Sequence, residues 1–551
     1  MSMRNAVIYQ IYPKSFYDST GSGTGDLRGI IEKVPYITSL GVDMVWFNPF
    51  FISPQNDNGY DIADYYNIDP TMGSMADVEE LIAALTAEGV GVMFDMVLNH
   101  VSIEHEWFQR ALAGEQEYQN FFYLRPLQED GSLPTNWESK FGGKSWSQFG
   151  ETDLYYLHLY DTTQADLNWH NPRVRQELFK VVNFWAEKGV RGFRFDVLNV
   201  IGKDTVLHDA APGENDKLLY TDTERVHPWV QELNRETFGS LEGAITVGEM
   251  SSTTIKSSVR YTNPANRELD MVFSFHHLKV DYVDGQKWSD TPFRFMELKQ
   301  LLTDWAVGIQ AGGGWQASFF NNHDQPRALN RFGDAGIYRV QSAQMLAAAT
   351  HLTRGTPYIY MGEEIGMTDP VYESMDDYVD IESHNAYKIL CNEGIHPADA
   401  FKIITKKSRD NSRTPMQWTS GANAGFTSGK PWLRPTSHAE INVEAEEREG
   451  QILPFYRRLV QLRHDMPLIA EGTYEPFARE HESVYAFVRE HEGQRLLVLN
   501  NFYGTETSLT IPVAFAAGSV LLSNYGQTEL GETLTLASYQ TLAILADEKA
   551  A

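Results

Sequence analysis

Eight short apolar runs, rich in β-branched and aromatic residues, recur along the chain with helical patterns between them. In order they are Val7–Tyr12, Met44–Phe47, Val92–Val97, Arg191–Val197, Ala244–Glu249, Met271–Phe275, Gln316–Phe320 and Tyr358–Met361. Near-continuous apolar strands that alternate with helices predict a parallel sheet buried on both faces. Eight such units predict an α/β fold of the TIM (β/α)8 type. The segment from Asn171 to Gly189 shows the intervening pattern. Asn171 is suited to cap a helix and Pro172 to its first turn. Val174, Leu178, Val181, Val182 and Trp185 then recur at helical spacing and would face the barrel.

Two segments interrupt the alternation. The first, from Val101 to Leu167, is rich in Gly, Trp and Tyr and too long for a barrel loop, so it predicts an inserted subdomain after the third strand. The second, from Met367 to Trp432, follows the eighth strand. Both leave from carboxyl ends of strands, the active-site face of a barrel. A last barrel helix is expected over Phe455–His464. After Gly472 the pattern becomes strand alternation, with a hairpin across Gly493. The expected organisation is a barrel over 1–100 and 168–471, an inserted subdomain over 101–167, and a C-terminal antiparallel β-sandwich over 472–551.

The formal net charge of -29 disfavours nucleic acid and anionic membranes as partners. One cysteine, Cys391, excludes an internal disulfide and a thiolate metal cluster. The N-terminus runs straight into a strand pattern, without a signal-peptide core, and no apolar run is long enough to span a bilayer. These features predict a cytoplasmic protein acting on a small molecule, as a monomer.

Chemistry collects at the strand ends. Arg194 and Asp196 share one face of the fourth strand, so Asp196 has a fixed cation that keeps it ionised. Glu249 closes the fifth strand, and Asp324 follows the seventh in Asn321-Asn322-His323-Asp324. An ionised carboxylate, a second that carries a proton and a third that holds substrate make up the division of roles in retaining glycoside cleavage. The bland alternative, a structural ion pair on a buried strand, accounts for Asp196 alone but not for three carboxylates on one face.

Those stretches, with Asp95-Met96-Val97-Leu98-Asn99-His100 and Gln164-Ala165-Asp166-Leu167-Asn168-Trp169, resemble the alpha-amylase superfamily of glycoside hydrolases, in its alpha-glucosidase-like branch. The resemblance implies that Asp196 is the nucleophile, Glu249 the acid and base, and Asp324 the group that grips ring hydroxyls. It further implies that Arg194 orients Asp196, that His100 and His323 donate to sugar hydroxyls, and that Asp61, beside Tyr60, and Arg413 recognise the terminal glucose. Asp95 supports Arg194. The implied chemistry needs no cofactor.

Within the branch, the stretch Phe275-His276-His277-Leu278-Lys279 is basic where relatives that cleave neutral 1,6-linked sugars are acidic. Lys279 and His276, with Lys287, suggest selection for an anion. The stretch is most similar to members that split trehalose 6-phosphate into glucose and glucose 6-phosphate. An oligo-1,6-glucosidase acting on isomaltose and short neutral glucans is the alternative, with those charges paired to Asp281 and Asp284. A non-catalytic transporter partner is a third class, disfavoured by the full carboxylate set. The loop Asp18–Asp26 resembles a cation-binding loop of several relatives, but Thr20 and Ser22 replace their Asn and Asp, and no metal is predicted there.

Overall fold

The computed structural model describes residues 2–546. The chain divides into two compact units, Met1–Val45 with Glu88–Val90 and His276–Ala551 in one, Trp46–Ala87 with Gly91–Phe275 in the other.

The eight strands are β1 (Ile8–Ile11), β2 (Met44–Phe47), β3 (Gly91–Val97), β4 (Gly192–Asp196), β5 (Ile245–Glu249), β6 (Met271–Phe273), β7 (Ala317–Ser318) and β8 (Thr356–Tyr360). They form one sheet in the order β6-β5-β4-β3-β2-β1-β8-β7. Sequence-adjacent strands lying side by side, in parallel, is the order of a (β/α)8 barrel, as the alternation predicts. The register sets up the chemistry: Arg194 of β4 lies opposite Asp95 of β3 and Val247 of β5, and Glu249 lies opposite Phe273.

β6 and β7 are shorter than the apolar runs that encode them. After Ser318 the carbonyl of Phe319 meets the His277 Nε2 at 2.8 Å, so a side chain replaces a ladder partner. The His277 ring also packs edge-on against Phe319 and Phe320. Those two aromatics are buried without being in a strand, which is why apolarity alone overextends the run.

The helix Pro172–Glu187 begins where expected, with Asn171 Oδ1 accepting from the Arg173 amide at 3.0 Å. It buries Val174, Leu178, Val181, Val182 and Trp185, and Gly189 ends the turn at φ 105°. The last barrel helix covers Ile452–Asp465.

The segment after β3 begins with the strand His100–Ser102, which pairs with Gln164–Asp166. Between these lies a three-stranded antiparallel sheet of Leu124–Pro126, Leu154–Leu157 and Trp146–Gln148. The segment after β8 carries the helices Ile381–Asn392 and Pro397–Lys407, packed around Tyr378, Leu390 and Ile404.

Beyond Gly472, five antiparallel strands form a sheet, and Thr507–Thr510 pairs with Thr533–Leu536 in a separate ribbon. The hairpin of Val484–His491 and Gln494–Asn501 turns at Glu492 and Gly493, both with positive φ, as a two-residue turn requires. Val484, Leu497, Phe515 and Leu536 fill the core between sheet and ribbon. Among the described residues, no helix is long and apolar enough to cross a membrane.

Candidate active site

Asp196 is the last residue of β4 and Glu249 the last of β5. Arg194 holds both. Its Nη1 donates to Asp196 Oδ1 at 2.6 Å and to Asp95 Oδ1 at 2.7 Å, and its Nη2 donates to Glu249 Oε2. Arg194 is buried, and Trp46 lies beneath its guanidinium at 5.1 Å. Burial opposes its charge, but Asp95 and Glu249, with Tyr60 and Asp196, hold it firmly protonated.

Asp95 is also fixed from its other oxygen, by Tyr60 Oη at 2.8 Å and Trp46 Nε1 at 3.3 Å. Burial pushes its carboxyl up, to about 7, against the pull of Arg194. Tyr60 accepts in turn from Asn48 Nδ2 at 2.8 Å. The expectation that Asp95 supports Arg194 therefore has a direct contact behind it.

Immediately after Asp196, Val197 adopts φ 39° and ψ 39°. A β-branched residue in the left-handed region is a steric outlier and costs about 1–3 kcal/mol. Its side chain is held in an apolar cluster with Tyr123, Trp137, Tyr160 and Val200. Packing thus keeps the turn that ends β4 at Asp196.

His100 is buried, and burial lowers its pKa, so the ring is neutral near pH 7. Its Nδ1 lies 3.1 Å from Asn99 Nδ2 and its Nε2 3.3 Å from Gln164 Nε2. The branch-marker stretch explains itself here. Asp166 lies opposite His100 in the antiparallel pair and forms a fully buried ion pair with Lys203 at 2.7 Å, and Trp169 donates to the Leu98 carbonyl at 2.9 Å. Asp61 is fully buried, and its carboxylate accepts from Ser53 Oγ and from the Asn56 and Asp57 amides at 2.8–3.1 Å.

The other unit carries Asp324, His323 and Arg413. Asp324 Oδ1 accepts from Arg413 Nη2 at 2.8 Å, with Arg409 Nη1 at 3.5 Å, and Oδ2 lies 3.0 Å from His323 Nε2. Burial opposes ionisation, but His323, Arg413 and Arg409 hold the Asp324 carboxyl well below the usual carboxylate range. Gln10 Nε2 lies 3.0 Å from His323 Nδ1, so a ring with its proton on Nε2 serves both neighbours. Tyr12 stacks on His323, and Arg413 Nε donates to the His323 carbonyl at 2.8 Å.

Three members of this second group were not legible as site residues. Arg409 Nη2 meets Asp380 Oδ1 at 2.6 Å, and Arg409 Nε lies 3.4 Å from Glu382 Oε2. Arg409 stands four residues before Arg413, a helical spacing that could have flagged it. Asp380 and Glu382 lie about thirty residues upstream, where nothing in the local pattern marks them.

The Lys287 ammonium pairs with Glu382 at 2.7 Å and sits over the Trp288 ring. His276 and Lys279 are half-buried in one short helical turn after β6, with the His276 ring 5.0 Å from that of Trp305. Asp281 pairs with Arg331 at 2.9 Å and Lys407 at 2.7 Å.

In the loop after β1, Asp18 accepts from the Thr20, Gly21 and Gly23 amides and Asp26 from Ser19 and the Gly29 amide, at 2.6–2.9 Å. Both carboxylates are hydrogen-bonded within the loop and the helix start that follows.

A family model described as the alpha amylase catalytic domain matches residues 10–472. The chain belongs to the alpha-amylase family. It is thus a glycoside hydrolase, with the strands β2 to β8 and the strand-end carboxylates inside the matched region. A second model, the alpha-amylase SusG C-terminal domain, matches residues 484–542. The chain is 48% identical to a trehalose-6-phosphate hydrolase of Bacillus subtilis, over 98% of its own length and 97% of the relative's. It is 43% identical to an oligo-1,6-glucosidase of Parageobacillus thermoglucosidasius, over 96% of each. A crystal structure of the trehalose-6-phosphate hydrolase of Bacillus licheniformis superposes with a TM-score of 0.95 at 48% identity, covering 99% of this chain and 100% of that one.

Proposed function

We propose that this alpha-amylase family member hydrolyses trehalose 6-phosphate to glucose and glucose 6-phosphate, with retention. The observation that carries the chemistry is the single guanidinium shared by Asp196 and Glu249. Two carboxyls held by one guanidinium are close neighbours, as retaining glycosidases need, where the two stand about 5 Å apart.

In this reading Asp196 attacks the anomeric carbon while Glu249 protonates the bridging oxygen, which leaves with glucose 6-phosphate. Glu249, now a carboxylate, takes a proton from water, and that water releases glucose from Asp196. Asp324, fixed as an anion, holds ring hydroxyls and favours the cationic, flattened sugar of the transition state. His100 and His323 hydrogen-bond sugar hydroxyls, and Asp61, Tyr60 and Arg413 bind the terminal glucose. Lys279, with His276, binds the phosphate of the leaving sugar. Lys287, which also pairs with Glu382, adds a weaker contact to that phosphate. The enzyme acts in the cytoplasm, where a sugar-phosphorylating uptake step supplies the substrate, and works as a monomer without cofactor.

Two facts favour this substrate over isomaltose. The identity is higher to trehalose-6-phosphate hydrolases than to the oligo-1,6-glucosidases. The turn after β6 is basic, carrying His276 and Lys279. The test is kcat/KM of the purified enzyme for trehalose 6-phosphate, trehalose and isomaltose. A preference of about 100-fold or more for the phosphorylated sugar is expected. Equal or faster turnover of isomaltose would make the enzyme a neutral-sugar glucosidase.

A further inference from the structure

The residue three positions after Asp196 ties the two loops of the reaction together. Asn199 lies in the short helical turn Leu198–Val200 and is fully buried. Its Oδ1 accepts from the Ser251 amide at 3.2 Å, and its Nδ2 donates to the Ser251 carbonyl at 2.8 Å. One carboxamide thus closes a two-bond ring on the backbone of the residue two beyond Glu249. The same Nδ2 donates to Asp222 Oδ1 at 3.0 Å, while the Asp222 amide donates to the Asn199 carbonyl at 2.9 Å. Tyr261 Oη donates to that Asp222 oxygen at 3.0 Å. Asp222 itself holds φ 51°, a conformation that needs such support outside glycine.

The fixture matters because strand pairing does not reach this far. The ladder between β4 and β5 ends at Phe195 opposite Gly248. Past that point the two strands no longer pair with each other: Asp196 pairs with Val97 of β3 and Glu249 with Phe273 of β6, and Asp196 is followed by the strained Val197. Arg194 links the two carboxylates, but a flexible Glu249 could pivot on one guanidinium nitrogen. Asn199 fixes the backbone on the far side of Glu249, from the nucleophile's own loop. Side-chain amides suit this task, since one such group offers a donor and an acceptor in a plane.

We infer that Asn199 is a positioning residue that sets the place of the acid Glu249 relative to the nucleophile Asp196, with Asp222 and Tyr261 holding Asn199 in turn. The inference rests on the roles proposed above for Glu249 and Asp196. Misplacing an acid by a fraction of an ångström harms departure of a poor leaving group, which needs the proton. It hardly harms departure of a good one, which does not.

The experiment compares kcat/KM for trehalose 6-phosphate and for 4-nitrophenyl α-D-glucoside, since kcat/KM reports the first, glycosyl-forming step for both. Wild type, Glu249→Gln, Asn199→Ala and Asp222→Ala are measured side by side. Asn199→Ala is expected to lose about 100-fold on the disaccharide phosphate and to stay close to wild type on the aryl glucoside. Asp222→Ala, which leaves both Ser251 bonds in place, is expected to show the same selectivity at smaller size, and it decides the matter if Asn199→Ala does not fold. Glu249→Gln separates the two ideas. If it loses both substrates alike, or neither, the acid assignment fails. If it shows the leaving-group selectivity while Asn199→Ala and Asp222→Ala lose both substrates in parallel, or lose nothing, Asn199 is overturned as a positioning residue.

Discussion

The charged groups around Arg194 and around Asp324 are opposite in balance. At the first, three carboxylates, Asp95, Asp196 and Glu249, share one guanidinium. At the second, Asp324, Asp380 and Glu382 meet Arg409, Arg413 and Lys287. Burial, with the Asp196 charge adding to it, raises Asp95 to about 7 against the pull of Arg194. At the second, burial raises Asp410 beside Asp380, but His323, Arg413 and Arg409 hold Asp324 well below the usual carboxylate range despite its burial. In the first group Asp95 can therefore take up a proton as pH falls below about 7. The second is a fixed anion, suited to hydroxyls and a cationic transition state. Both lie at strand ends; what differs is the number of cations each can reach.

Breaking the first group should have the largest effect. Asp196→Asn is expected to lower kcat/KM on the order of 10⁴-fold or more, with an unchanged circular dichroism spectrum. Retained activity would put the covalent step elsewhere. Asp324→Asn should cost less, about 10²–10³-fold, mainly in kcat, because it weakens transition-state stabilisation without removing a bond-forming group.

Lys279→Ala separates substrate recognition from both groups. It should reduce kcat/KM for trehalose 6-phosphate by about 10–100-fold through a raised KM, and leave an unphosphorylated aryl glucoside unaffected. A loss on both substrates would make Lys279 structural.

The smallest effect is on stability against pH, and it tests the contrast directly. The folded pKa of Asp95 is raised, so its contribution is full below the unfolded value near 3.9 and is lost as pH rises through about 7. Wild type should therefore lose more melting temperature between pH 5 and pH 8 than Asp95→Asn does. Asp324 is depressed, so its contribution is full above its unfolded value and is lost only as pH falls below that. Asp324→Asn should thus differ from wild type by the same amount at pH 5 and pH 8. Thermal melts at both values check the pair; parallel curves for Asp95→Asn would show that the two groups do not differ.

The barrel was legible because its strands are apolar on both faces and its helices repeat at a clean period, as Pro172–Glu187 shows down to its cap and its buried residues. The strand ends were not, where His277 takes a carbonyl that a ladder would have used. At the site, Asp196 and Arg194 could be paired from sequence because alternation puts residues two apart on one face. The expected support of Arg194 by Asp95 is realised through register, whereas Asp380 and Glu382 meet Arg409 only through tertiary folding of a segment with no period of its own. Lys287 shows the same limit: its carboxylate partner Glu382 is far off in sequence and meets it only in the folded chain. Asn199 was passed over because an amide carries no charge pattern to notice.

Covalent trapping tests the division between the two groups most directly. The enzyme is incubated with 5-fluoro-α-D-glucosyl fluoride, which forms a glycosyl-enzyme that turns over slowly, and digested for peptide mass spectrometry. The account predicts one glycosylated peptide with the label on Asp196. A label on Asp324, or an unlabelled enzyme that releases its product with inverted anomeric configuration, would contradict it.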